Sequence, residues 1–220
     1  MDSLRDTAAC IGVTGNFSVA GNFFGFLRGV PDEVSVLTQV RRLQGKHVHM
    51  NFIRVGSEQF TEADFEELDS ALQFTRDNYA QQNLGVGKIE HYIITTAQAN
   101  GADNINNDDE AEELTNDWTV PNSALDIFFV RTYSGSTIGL SRVDGPCDKD
   151  AKGMDGSVVA MEGSVNTTGF VLAHEAGHYL GLGHSSSSGN LMFGTVPNGG
   201  ALTNGQGSDI RDHCFAKNGC

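Results

Sequence analysis

His174-Glu175-Ala176-Gly177-His178-Tyr179-Leu180-Gly181-Leu182-Gly183-His184 is the stretch from which the rest of this 220-residue chain is read. On an α-helix, residues four apart project from one face, so the imidazoles of His174 and His178 can converge on one ion at Zn–N distances of ~2.0–2.1 Å. Glu175 follows the first imidazole and can reach a water activated at the position that catalytic zinc sites leave open, which makes it the natural general base. A third ligand ten residues beyond the first is carried too far along the axis to share that face, so the helix has to end and the chain has to turn. Gly181 supplies the turn, because glycine takes left-handed backbone without a Cβ penalty. Gly183 adds freedom before His184 returns beneath the ion.

With 7 histidines and 27 glycines in the chain, this ordered pattern arises by chance in on the order of one chain in ten thousand, or fewer. Three imidazoles and a carboxylate on the apolar helix that carries Phe170-Val171-Leu172-Ala173 would be costly to bury with no ion to pair them. The sequence therefore predicts one catalytic zinc ion on His174, His178 and His184, with Glu175 as base. The remaining histidines, His47, His49, His91 and His213, share no ligand spacing and read as strand or surface residues.

Outward from this helix, expected over 168–182, the pattern is mixed. Residues 46–55 alternate near period two and stop at Gly56, which reads as a strand. Thr61 with Glu62 and Asp64 forms a helix entry, and Phe65, Leu68, Leu72, Thr75 and Tyr79 recur at three- and four-residue spacing, predicting a long amphipathic helix to residue 83. Strands are expected over 88–96 and 124–133, and shorter ones over 138–143 and 157–162. This order predicts an α/β or α+β fold with one twisted sheet. Residues 1–45, punctuated by Gly12, Gly15, Gly21, Gly25 and Gly29, read as a separate Gly-rich segment of short strands and turns. The polar loop 100–113 offers Asp103, Asn104, Asn106, Asn107, Asp108 and Asp109 to calcium. It lacks the glycine and the glutamate of an EF-hand loop, so a solvated helix entry is the better reading and calcium is unsupported.

Lys and Arg number 14 against 28 Asp and Glu, a formal charge of -14. That repels phosphate backbones and anionic lipids, so neither nucleic acid nor a membrane surface is an expected partner. No run reaches the ~20 apolar residues of a membrane span. Cys10, Cys147, Cys214 and Cys220 contain no C-x-x-C pair and read as disulfide cysteines with three possible connectivities, two of them crowded into a stapled C-terminal tail. Disulfides imply an oxidising compartment, hence a secreted protein whose leader has been removed.

The run H-E-x-x-H-x-x-G-x-x-H resembles the signature of the metzincin clan of zinc peptidases. Met192, eight residues after His184, stands at the matrixin-like spacing for the Met-turn methionine that packs beneath the zinc, with Gly181 as further support of the site. The resemblance implies a metzincin-like zincin fold over 46–220: a twisted mixed sheet, a backing helix and an active-site helix in an upper subdomain (46–183), with a small lower subdomain (184–220). It also implies that Gly139, Leu140 and Ser141 lie on the edge strand lining the cleft, where an extended substrate pairs with main chain. Val196 and Pro197 would wall the specificity pocket. Astacins and serralysins place a tyrosine two residues after the methionine, whereas this chain has Gly194. Arg28-Gly-Val-Pro-Asp32 resembles the matrixin latency motif without its cysteine, and Cys10 is a separate candidate thiolate for the open zinc position; a turn and a disulfide are the plainer readings of the two. The expected function is that of a zinc-dependent endopeptidase acting on protein or peptide substrates. The alternatives are a zinc-binding module without proteolysis and a zinc amidase acting on cell-wall amides.

Overall fold

The computed structural model describes residues 11–16, 37–42, 45–149, 153–196 and 199–218. Cys10, Cys220, Pro197 and the segment 28–32 lie outside the described residues. Two strands, β1 (Ile11–Asn16) and β2 (Leu37–Arg42), pair antiparallel within the Gly-rich segment.

The main sheet begins with β3 (Lys46–Val55), whose bounds match the alternating run. β4 (Leu84–Ile94) lies parallel to one edge of β3. It starts four residues before the expected strand. Gly87 sits where a Cβ would come within 2.6 Å of the His49 ring, so this glycine serves close strand packing and not a turn. On the other edge of β3 runs β6 (Leu125–Val130), parallel, followed by β9 (Ser157–Ala160), parallel, and the edge strand β8 (Gly139–Ser141), antiparallel to β9. β10 (Lys217–Asn218) pairs antiparallel with the start of β3. The expected strand 124–133 breaks at Arg131, and the short β5 (Asn104–Ile105) and β7 (Thr132–Tyr133) pair separately.

Strand alternation sorts the core into two layers. Val48, Met50, Phe52, Leu125, Ile127, Phe129 and Val159 face one way, toward the long helices α1 (Glu62–Ala80) and α4 (Val165–Tyr179). Ile53, Val55, Phe128, Val130, Val158 and Ala160 face the other, toward α2 (Thr96–Ala99) and α3 (Asp108–Asp117). α3 grows out of the polar loop: Asn107 caps it, and Glu110 accepts from the backbone and side-chain N–H of Asn106. Asn106, Asn107 and Glu110 of the loop thus serve a helix entry, while Asp103, Asn104 and Asp108 accept from Gln59, Thr132 and Tyr133.

α1 opens with a capping box in which the Thr61 N–H donates to Asp64 Oδ2 at 2.7 Å, and Arg131 pairs with the other carboxylate oxygen at 3.0 Å. Leu68, Leu72, Thr75 and Tyr79 are buried as expected, but Phe65 is 41% exposed. It lies under the Arg54 guanidinium, 4.8 Å from the ring centroid, so its place in the period serves a cation–π contact and not the core. α4 begins three residues earlier than expected, capped by Ser164, and approaches α1 closely at Gly169, whose missing Cβ would lie 3.0 Å from Phe74 Cβ. The Tyr79 hydroxyl donates to the Ala173 carbonyl at 2.9 Å, fixing α4 on α1 beside the first ligand position.

The C-terminal end of α4 is held by a distant loop. The N–H groups of Asp144 and Gly145 donate to the carbonyls of His178 and Tyr179 at 3.0 and 2.8 Å, supplying partners that a helix end lacks. That loop is in turn tied to the C-terminal segment by the Cys147–Cys214 disulfide and by His213 Nε2 donating to the Gly145 carbonyl at 3.0 Å. A further helix, α5 (Asn204–Asp212), is capped by Thr203 and Gln206.

Candidate active site

α4 ends at Tyr179, and Gly181 has φ +102°, the left-handed turn its place in the motif requires. The turn returns His184 to the other two imidazoles. One ring nitrogen from each of His174, His178 and His184 lies within 4.8 Å of the others, and the ring centroids stand 4.6 to 5.4 Å apart.

Two carbonyls decide which nitrogens face the centre. His174 Nδ1 lies 2.8 Å from the Leu191 carbonyl and His178 Nδ1 lies 2.6 Å from the Leu182 carbonyl. A carbonyl oxygen only accepts, so both Nδ1 atoms carry the proton and both Nε2 lone pairs are left for a ligand. Burial, the largest influence, lowers the pKa of both imidazoles, that of His178 to about 4, so they are neutral near pH 7. Three imidazole donors on a preorganised turn suit zinc, and a borderline-soft cation is what this donor set selects.

Glu175 is buried beside this cluster, and burial pushes its carboxyl up to about 8. A cation on the imidazoles would favour the ionised form again, because opposite charge within a few ångströms offsets desolvation.

Met192 is fully buried beneath α4. A Cβ on Gly177 would lie 2.8 Å from its sulfur, so the glycine leaves the methionine room to pack directly under the helix. Its carbonyl accepts from the Ser185 N–H at 2.7 Å, joining this turn to the residue after His184. Asn190 shapes the turn, accepting from the Met192 N–H at 2.9 Å and exchanging two hydrogen bonds with Gln206 of α5.

Among the cleft residues expected from sequence, Gly139 lies directly against Glu175. Leu140 packs into the core layer on the far side of the sheet, and the Ser141 hydroxyl meets that of Ser157 at 2.9 Å. Val196 packs against the main core. The carbonyls of Leu182 and Leu191 and the Asn190–Gln206 pair escape sequence reading, since main-chain acceptors carry no residue signature.

A second group that resembles a ligand set, Cys147, His213 and Cys214, serves structure. Its cysteines form the disulfide. Both nitrogens of His213 are engaged, Nε2 with Gly145 and Nδ1 accepting from the Phe215 N–H at 3.3 Å.

A solved structure described as a chaperone–substrate complex superposes with a TM-score of 0.56 at 11% identity, over 82% of this chain and 39% of that one. The crystal structure of metalloproteinase-II from Bacteroides fragilis superposes with a TM-score of 0.53 at 16% identity, over 76% of this chain and 53% of that one. The chain thus spans about two-fifths and one-half of these structures, and at such identities the likeness speaks for the fold. No curated protein matches the sequence. The family model of matrixin, Peptidase_M10, matches residues 42–210, which include the histidine motif, the edge strand and the methionine turn. The chain belongs to the matrixin family.

Proposed function

We propose that the chain is a zinc-dependent endopeptidase with Glu175 as general base. The observation that carries this reading is the convergence of three imidazoles, two with their tautomer set by a carbonyl, on one side of a buried carboxyl. His174 and His178 would hold the ion through Nε2, with His184 as the third ligand, and leave a position open. Zinc, when bound there, supplies Lewis-acid polarisation of the scissile carbonyl and lowers the pKa of water.

The chain's own groups do the rest. Among the described residues β8 has a strand partner only in β9, so main chain at Gly139, Leu140 and Ser141 offers an edge along which an extended peptide would pair. Such a peptide passes beside Glu175. The carboxylate accepts the proton of the attacking water and delivers it to the leaving amine. Met192 supports the ligand helix from below, and Val196 with Pro197 would border the specificity pocket. We read the cleft as lying between residues 46–183 and 184–220. The Cys147–Cys214 disulfide supports a secreted site of action.

The test is hydrolysis of an unfolded protein by the wild type and by Glu175→Ala, with zinc assayed in both. Turnover should fall by about 10²–10⁴-fold with zinc retained. Unchanged turnover refutes the role of Glu175. Cleavage of cell-wall peptides but not of unfolded protein would identify an amidase, and zinc without cleavage in either assay a binding module.

A further inference from the structure

We infer that Gly139 and Ser157 are positioning residues for Glu175, together holding its carboxyl in register with the edge strand along which substrate would lie. The inference rests on Glu175 being the base.

Gly139 is a glycine for reasons of space. Its φ lies outside the left-handed region, so no turn demands it, and a glycine within a strand ordinarily weakens the strand. A Cβ here would stand 2.6 Å from Val171 Cγ1, 2.7 Å from Glu175 Cγ and 2.8 Å from Glu175 Oε1. The main chain of β8 therefore rests on the glutamate side chain with room for a hydrogen atom and no more. Even a methyl group would drive the carboxyl, Val171 or the strand aside.

The neighbouring strand β9 touches Glu175 as well, at the main chain. The buried Ser157 hydroxyl donates to the Glu175 carbonyl at 3.4 Å and meets the Ser141 hydroxyl of β8 at 2.9 Å. One end of β8 is thus fitted against the carboxyl and the other is linked by two hydroxyls to the same residue's backbone. A general base works only within hydrogen-bond reach of the proton it takes, and errors of about 1 Å are costly. These contacts set that reach.

The experiment measures kcat and KM on a peptide chosen from the wild type's own cleavage map, with zinc content and thermal unfolding recorded for each variant. Gly139→Ala should lower kcat at least about tenfold with KM within about twofold and zinc unchanged, and Ser157→Ala should lower kcat by about threefold or more. Val171→Ala alone should behave as wild type, and in the double variant Gly139→Ala/Val171→Ala most of the lost kcat should return, because the new methyl gains space on the side away from Glu175. A Gly139→Ala kcat within twofold of wild type overturns the inference, as does a loss confined to KM or a double variant no better than the single. If Gly139→Ala fails to fold, Ser157→Ala decides by the same criterion. Glu175→Gln separates the two levels. Wild-type turnover in that variant, or silence of the wild type, overturns the reading of Glu175 as base; an inactive Glu175→Gln beside an unimpaired Gly139→Ala overturns only the positioning role.

Discussion

Replacing Lys149 by Met should destabilise the protein by about 3–4 kcal/mol, although no part of Lys149 touches the imidazole cluster. Its ammonium lies 2.7 Å from Asp126 Oδ1, with the lysine side chain 7% exposed and the carboxylate fully buried. Breaking a buried pair from one side costs about 3–5 kcal/mol, because the remaining charge is left in a poor solvent. Two details of the structure move the expectation within that range. Asp126 keeps three other donors, Asn51 Nδ2 at 2.6 Å, the Val120 N–H at 2.8 Å and the Thr119 hydroxyl at 3.0 Å, which argues for the low end. The Val120 carbonyl also loses the 2.9 Å hydrogen bond from the ammonium, which adds about 1 kcal/mol. Methionine retains most of the aliphatic stem. Urea unfolding measures the loss, and the midpoint of thermal unfolding should fall by roughly 10 °C. Adding Asp126→Asn removes the stranded charge, so the double variant should be more stable than the sum of the two single losses implies, by about 2 kcal/mol. A loss below about 1 kcal/mol for Lys149→Met, or simple additivity in the double variant, would refute the claim that the two charges depend on each other.

Two further perturbations follow from burial and connectivity. In metal-free protein the Glu175 carboxyl, held by burial at about 8 against an ordinary 4.5, keeps a proton that the unfolded chain has released. Stability from this group is full below pH 4.5 and is lost as pH rises through 8. His178 and the other histidines that burial lowers, His47, His49, His91 and His174, oppose it, so the Glu175 effect is read as the difference between wild type and Glu175→Gln, which should fall by about 2 kcal/mol from pH 6.5 to 8 in urea unfolding of chelator-treated protein. A flat or rising difference over that interval would contradict the burial argument. Removing the Cys147–Cys214 bridge as Cys147→Ala/Cys214→Ala frees a loop spanning 67 residues and should cost about 4 kcal/mol on the loop-entropy scale. Equal unfolding midpoints for the double variant and the wild type would show that the hydrogen bonds around Gly145 suffice.

The site was legible where sequence spacing translates directly into local geometry. A step of four positions from His174 to His178 and a glycine at 181 encode one helical face and one left-handed turn, and both occur at those positions. Period-two alternation marked β3 to the residue because one strand alternates between two core layers. What escaped notice depends on partners distant in sequence or on groups all residues share. α5 contains Gly205 and Gly207, poor helix formers, and only the Thr203–Gln206 capping box announced it. The start of β4 was hidden by Gly85 and Gly87, and the Cys147–Cys214 pairing is set by where the 143–149 loop meets the C-terminal segment. Phe65 obeyed the helical period yet faces Arg54, because periodicity identifies a face without saying what covers it.

The imidazole-orienting hydrogen bonds span only 4 and 17 positions along the chain. Every expected ligand and both orienting carbonyls therefore come from residues 174–191, a length that closes at small entropic cost. The contact of β8 with Glu175, by comparison, joins positions 139 and 175 and depends on the pairing of β8 with β9 and of β9 with β6. The imidazole cluster is thus a local product of the chain, while the strand fitted against Glu175 is a product of long-range assembly.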